Sequence, residues 1–134
     1  MTTLTISEQE QLHEALIKKR QQVENDIQRA YRVRTEIQEA LRSEGSVMDL
    51  AEQSNEVDLL ERARADEISL RATLAEIEHA LDKFAAGTYG TCERCGEPIP
   101  FRRLQRVPEA RFDTAHQAEY EQRPQEAPAE ALFN

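Results

Sequence analysis

The sequence has no tryptophan, few other aromatic residues and only two cysteines among 134 residues. So little bulky aromatic material cannot fill a thick globular core, and an elongated shape is expected. Two cysteines exclude a disulfide-dense scaffold. Long apolar runs are missing too: no stretch approaches the ~18 consecutive apolar residues that read as a membrane span. The amino terminus shows no basic stretch leading into an apolar run, so no secretory leader is expected and the cytoplasm is the expected location. Positive charge is in deficit, with 17 Lys and Arg against 26 Asp and Glu and a formal net charge of −9. That balance disfavours direct, sequence-specific DNA binding, because a phosphate backbone would meet net repulsion.

Glycine and proline are scarce before residue 87, and Ala, Glu, Leu, Arg and Gln dominate there, a mix suited to long surface helices. Ser7 with Glu10 has capping-box spacing and predicts the start of a first helix. Leu12, Leu16, Val23, Ile27, Ala30, Ile37 and Leu41 then form one apolar stripe. The stretch Ser43 to Ser46, containing Gly45, predicts a chain reversal. Beyond it Leu60, Ala63, Glu67, Leu70, Leu74, Ile77, Leu81 and Phe84 recur at steps of three and four, a seam interrupted once by Glu67. Two such stripes should zip into an antiparallel hairpin about 50 Å long, at 1.5 Å per residue. By themselves these helices would also suit a generic coiled coil or spacer, as the lesser reading.

Gly87-Thr88-Tyr89-Gly90 should stop the second helix. Residues 91 to 117 then hold both cysteines, three prolines and an arginine cluster. Cys92-Glu93-Arg94-Cys95-Gly96 presents two thiols across a tight turn, as half of a tetrahedral zinc site requires. A thioredoxin-like redox pair would need a strand before it, and none is expected here. A short closing helix is expected over Ala110 to Gln122, and the segment from Arg123 onward reads as a disordered tail. The expected fold class is therefore mainly α: a long antiparallel two-helix coiled-coil hairpin over 1–86 with its tip near 43–55, a small zinc-finger-like module over 87–122, and the tail over 123–134.

The run Gly87-Thr88-Tyr89-Gly90-Thr91-Cys92-Glu93-Arg94-Cys95-Gly96-Glu97-Pro98-Ile99, followed by Arg102-Arg103-Leu104, Pro108 and Ala110, resembles the DksA/TraR family of bacterial transcription regulators. The resemblance implies a finger carried on a long hairpin, which members insert into the secondary channel of RNA polymerase without performing chemistry themselves. It also implies a second CxxC pair, and here Asp113 and His116 stand at those places. Carboxylate and imidazole are competent zinc ligands, so a Zn²⁺ site of Cys92, Cys95, Asp113 and His116 is one reading. In the other the second pair is lost, and Ile99, Leu104, Val107 and Phe112 hold the module by packing. His13 and His79 are expected to be ordinary helix-surface residues. Arg102, Arg103, Arg106 and Arg111 form either a basic patch or a solvated face.

The best-known members carry D-x-x-D-x-A at the tip, and ungapped alignment from Cys92 puts Asp49, Glu52 and Ser54 there. Only the first is unchanged. Those three residues are the expected partner-binding tip, although Asp49 to Asn55 would also serve as an ordinary helix cap. Some relatives respond to guanosine tetraphosphate, and the corresponding places hold Thr73, Glu76, Val107 and Gln117. A carboxylate at such a site repels polyphosphate, so no strong response is expected, unless Arg103 or Arg106 compensates. The reading is a non-enzymatic, monomeric regulator that binds RNA polymerase. The alternative is a zinc-binding coiled-coil adaptor or structural protein that has lost tip activity.

Overall fold

The computed structural model describes residues 3–43 and 50–122. Two long α-helices, α1 (Ile6–Ser43) and α2 (Leu50–Ala86), are followed by two short ones, α3 (Phe101–Arg106) and α4 (Thr114–Glu121). No strand is found among the described residues. The fold is mainly α, as the composition implied.

Helix α1 starts slightly earlier than the Ser7–Glu10 box implied. The Thr5 hydroxyl accepts from the Glu8 N–H at 3.0 Å, and the Glu8 carboxylate accepts from the Thr5 N–H at 2.9 Å. Thr5-Ile6-Ser7-Glu8 has the same capping-box spacing two residues upstream, and it satisfies two otherwise orphan donors. With 38 residues in α1 and 37 in α2, the arm is roughly 55 Å long. Helix α2 ends in a Schellman motif: Thr88 N–H bonds to Lys83 O at 2.9 Å and Gly87 N–H to Phe84 O at 3.2 Å. Gly87 takes the left-handed conformation this requires, at φ 77°.

The stripes meet along a seam. Leu16, Val23 and Ile27 of α1 pack with Ile77 and Ala80 of α2, supported by Leu70, Leu74 and Leu81. Ala80 lies outside the stripe read from sequence. It is deeply buried whereas Leu81 is only half-buried. Farther out, Leu60 and Ala63 continue the buried face of α2.

Glu67 does interrupt this seam, but with a partner. Its carboxylate accepts from Arg34 Nε of α1 at 2.8 Å and from Arg71 at 3.0 Å. The Arg34 hydrogen bond is the chief cause holding the Glu67 carboxyl below its ordinary value, against the opposing effect of burial. A charge-assisted pair thus replaces one apolar layer and ties the two helices in register.

Beyond Gly87 the chain folds back over the open end of the hairpin. Leu12 joins Cys92, Ile99, Leu104 and Ala110 in a second buried cluster, flanked by Leu4, Phe84, Tyr89, Phe101, Val107 and Phe112. Phe84 and Tyr89 border both clusters, so the finger and hairpin share one continuous core. Gly90 has φ 88°, and a Cβ there would lie 2.8 Å from Leu4 Cδ1. Leu4 can cover the base only because no side chain stands at that position. The expected closing helix is shorter than Ala110 to Gln122: it begins at Thr114, because Asp113 caps it while Arg111 O is taken by the Glu93 N–H at 2.8 Å. Helix α3 was not anticipated.

Ile77 is completely buried in the seam. Ile77→Ala is expected to cost about 2–5 kcal/mol of unfolding free energy, measurable by urea denaturation. The Glu67 pair makes a separate prediction. Its folded pKa lies below the ordinary 4.5, so its stabilisation is full above that value and is lost as pH falls through the folded one. The thermal midpoint should therefore drop more between about pH 5 and pH 3 in the native sequence than in Glu67→Gln. Parallel curves for the two proteins would show that the pair contributes nothing to pH dependence.

Candidate metal centre

The knuckle is shaped by backbone hydrogen bonds on both sides of the cysteines. Cys92 N–H donates to Glu97 O at 2.8 Å, Gly96 N–H to Cys92 O at 2.9 Å, and Ile99 N–H to Gly90 O at 2.7 Å. These bonds bring Thr91 opposite Pro98 in an antiparallel bridge. Cys92 is buried in the base cluster, whereas Cys95 is exposed on the outer side of the turn.

The second pair of candidate donors comes from the start of α4. Asp113 is its N-cap, with Oδ1 accepting from the His116 N–H at 2.9 Å. This leaves Oδ2 directed at Cys95 Sγ, 3.6 Å away. His116 sits one turn in, and its Nδ1 is 3.7 Å from Cys92 Sγ. One ligand atom from each of the four residues lies within 4.8 Å of all the others. A tetrahedral ion with bonds of about 2.3 Å to sulfur and 2.0–2.2 Å to nitrogen or oxygen has edges of roughly 3.4–3.8 Å. Both sulfur contacts already fall in that range. The 2.8 Å contact between His116 Nδ1 and Asp113 Oδ1 is shorter, but it involves the capping oxygen, not the one facing Cys95.

The two thiols and the Asp113 carboxyl are each shifted by their neighbours. Burial is the largest influence on Cys92 and pushes its thiol up, but backbone N–H groups of Asp113, Cys95 and Arg94 outweigh it and leave it below its ordinary value. At Cys95 the Glu97 N–H favours the thiolate, yet burial, the Cys92 sulfur and the Asp113 carboxylate prevail and raise it. The His116 N–H is the main reason that the Asp113 carboxyl lies low. Cys95 thus stays a thiol that donates to Asp113 Oδ2, and a divalent ion bound there would favour its thiolate.

Residues 87–112 match the family model described as the prokaryotic dksA/traR C4-type zinc finger. The finger belongs to the DksA/TraR family. General stress protein 16O of Bacillus subtilis is 47% identical over 51 residues, 38% of this chain and 31% of that protein. The RNA polymerase-binding transcription factor DksA of Caulobacter vibrioides is 36% identical over 81 residues, 54% of this chain and 57% of that one. This chain thus spans less than two thirds of the curated relatives it matches. The transcription factor DksA2 of Pseudomonas aeruginosa superposes with a TM-score of 0.72 over 87% of this chain and 84% of its own, at 22% identity. Hairpin and finger therefore share the DksA fold. The matched DksA/TraR segment contains only the first cysteine pair and stops one residue before Asp113. With two cysteines in the chain, a four-thiolate site is impossible here, and the same corner holds a carboxylate and an imidazole.

The tip residues are far from this centre. Glu52 and Ser54 are exposed near the start of α2, about 50 Å along the helix axis from its end at Ala86. Asp49 lies outside the described residues. The arginine cluster does not act as one patch: Arg103 Nε donates to Phe112 O at 2.9 Å and Arg111 Nε to Glu76 at 2.6 Å, while Arg102 and Arg106 remain on the exposed side of α3. Glu76, Val107 and Gln117 border one cleft with Arg103 and Arg111, and Glu109 and Glu121 add further carboxylates to its wall. Thr73 is not part of it.

Sequence reading missed how the DksA/TraR finger is fastened to the hairpin. His79 is not a bystander: its Nε2 lies 2.6 Å from Glu93, which is also 3.3 Å from Lys83 Nζ and 3.7 Å from Arg111. Lys19 of α1 pairs with Glu109 at 2.7 Å. His13 makes an edge contact with Phe84, with ring centroids 4.9 Å apart. The available signal was the clustering of opposite charges at corresponding heights of α2 and the finger, which no periodicity in one segment reveals.

Tyr89 joins these layers. It stacks on Phe84 with ring centroids 3.9 Å apart, and its hydroxyl donates to Pro108 O at 2.8 Å. Burial pushes the phenol far above its ordinary value, helped by Glu109, so it stays a neutral donor. Tyr89→Phe keeps the stack and should cost about 1 kcal/mol, whereas Tyr89→Ala should cost roughly 3 kcal/mol or more. Equal losses in chemical denaturation would show that the stack contributes nothing beyond the hydrogen bond.

Proposed function

We propose that this chain is a non-enzymatic transcription regulator that binds RNA polymerase as a monomer, inserting its hairpin into the secondary channel. The observation that carries the reading is the stiff arm of roughly 55 Å, fixed to a DksA/TraR finger at one end and free to reach into a cleft at the other. The relative from Caulobacter is named as RNA polymerase-binding, and the shared fold supplies the same arm. The tip is the contact point in this reading: Asp49, with Glu52 and Ser54 exposed beside it, would approach the catalytic centre. Glu52 keeps negative charge on a longer side chain, and Ser54 puts a hydroxyl where the family pattern has a methyl, so the effect on transcription differs from that of the best-known members. The net charge of −9 argues against direct, sequence-specific DNA recognition, and the cytoplasm is where such a partner would be met.

The finger is the rigid base of the arm. Cys92, Cys95, Asp113 and His116 would hold a zinc ion, whose contribution is to cross-link the knuckle to α4, with no Lewis-acid step at a substrate. Thiolates, a capped carboxylate and an imidazole are a chemically fitting set. The cleft at Glu76 is not built for a polyphosphate in this reading, since Arg111 is already paired and three carboxylates line the wall.

A pull-down of purified RNA polymerase with the full chain tests the proposal. The native chain should bind, and removal of residues 44–55 should weaken binding by at least about tenfold, or about 1.4 kcal/mol. No binding, or binding indifferent to the tip, sinks it. Asp49→Asn with Glu52→Gln should alter transcription in vitro with the helical signal intact. An unchanged transcription readout would instead favour an adaptor that has kept the fold and lost the tip activity.

A further inference from the structure

Helix α4 has little to hold it. It has eight residues and none of them is buried, and a helix that short does not persist in water on its own. Up to Phe112 the chain is fastened: Ala110 is buried in the base cluster, Arg111 O accepts from Glu93, and Phe112 O accepts from Arg103. Past that point the apolar tie is Tyr120 stacking on Phe112 at 5.1 Å. An ion pair from Arg94 to Glu119 at 3.1 Å has both side chains about half exposed, and such pairs contribute little.

The remaining ties are those of Asp113 and His116 to the cysteines, and they fall at the N-cap and in the first turn. The two oxygens of Asp113 are divided between them. Oδ1 caps the helix through the His116 N–H, and Oδ2 points to Cys95. We infer that Asp113 acts as helix cap and metal ligand at once, so that zinc occupancy and docking of α4 on the finger are a single coupled event. The inference rests on the metal reading given above. With the ion bound, both donors of α4 are cross-linked to the knuckle and the first turn is nucleated in place. Without it, the first turn keeps its cap from Asp113 Oδ1 and a weak hydrogen bond from the Cys95 thiol to Oδ2, and the rest of the helix has only its exposed contacts. A site with two thiolates in place of four also exchanges zinc more readily, because carboxylate and imidazole are poorer ligands for zinc than thiolate. The far end of this finger is therefore a metal-responsive flap on a permanently folded base.

Hydrogen exchange of the full chain, zinc-loaded and chelator-stripped, with zinc counted by native mass spectrometry, tests this. One zinc per chain is expected. Amides of 114–122 should exchange at least about tenfold faster in the stripped protein, while those in the middle of α1 and α2 stay unchanged and report that the fold is intact. Asp113→Asn separates the two roles, because Asn caps as well as Asp but lacks the anionic oxygen. It should bind zinc at least about tenfold more weakly and leave α4 unprotected when zinc is supplied at the protein's own concentration. Asp113→Cys should restore both binding and protection. If one zinc binds and α4 is equally protected with and without it, the coupling is wrong and the metal site stands. If no zinc binds under any condition, the metal reading itself fails, and the coupling with it.

Discussion

The finger is held to the hairpin by the stack of Phe84 and Tyr89, and most of the structure depends on that contact. Phe84 is the last large apolar residue of the α2 seam, and Tyr89 is the first of the finger. Between them the Schellman turn at Gly87 reverses the chain within one residue of the helix end. The two rings belong to both buried clusters, so the core of the shaft passes into the core of the finger without a polar break. A hairpin fastened in this way can transmit force along its length, whereas one joined through a solvated linker would swing freely. For a probe that has to present its far end in a fixed direction, the stiffness of the base matters as much as the stiffness of the arm.

Charge takes over where apolar material runs short. The sequence has too few aromatic residues for a second layer, and polar groups at the junction are matched across elements: Lys19 with Glu109, Arg111 with Glu76, and His79 with Lys83 around Glu93. No buried side-chain polar atom is left without a partner among the described residues. These pairs are partly exposed, so their net energy is modest. Their value is orientation, because wrong docking of the finger would strand several of them at once. Arg34 and Glu67 do the same for the register of the two long helices.

Legibility in the sequence followed the range of the interactions. The helices and the stop at Gly87 are written in local signals: a capping box, an apolar period, a glycine; the reversal expected around Gly45 lies outside the described residues. The one slip at the amino terminus arose because two overlapping boxes, Thr5–Glu8 and Ser7–Glu10, have the same spacing, and the earlier one is formed. Helix α3 escaped notice because six residues give no usable period, and its burial rests on Leu104 alone. Ala80 was invisible for another reason: its side chain is too small to register as part of an apolar stripe, although it packs in the seam beside Ile77. The candidate site was half legible. Cys92 and Cys95 announce themselves by spacing, but Asp113 and His116 are ordinary residue types whose relevance came from the family resemblance, and only the fold brings them to the cysteines.

The corner where a C4-type finger carries its second cysteine pair keeps donor atoms in this chain. Asp113 is among the best residues for the N-cap it occupies, and its other oxygen faces Cys95. His116 lies three residues on, the spacing that returns to the same side of a helix, and its ring nitrogen faces Cys92. A carboxylate in place of a thiolate gives up affinity for a soft ion but gains a cap, which a cysteine supplies poorly. The exchange would shift part of the burden of holding α4 from a metal to the backbone hydrogen bond. Beneath it Leu12, Ile99, Leu104 and Ala110 are buried together with Cys92, and that apolar cluster continues into the hairpin through Phe84 and Tyr89. Zinc bound at this corner would therefore govern the last helix more than the fold as a whole, in contrast to small zinc domains that unfold when the metal leaves.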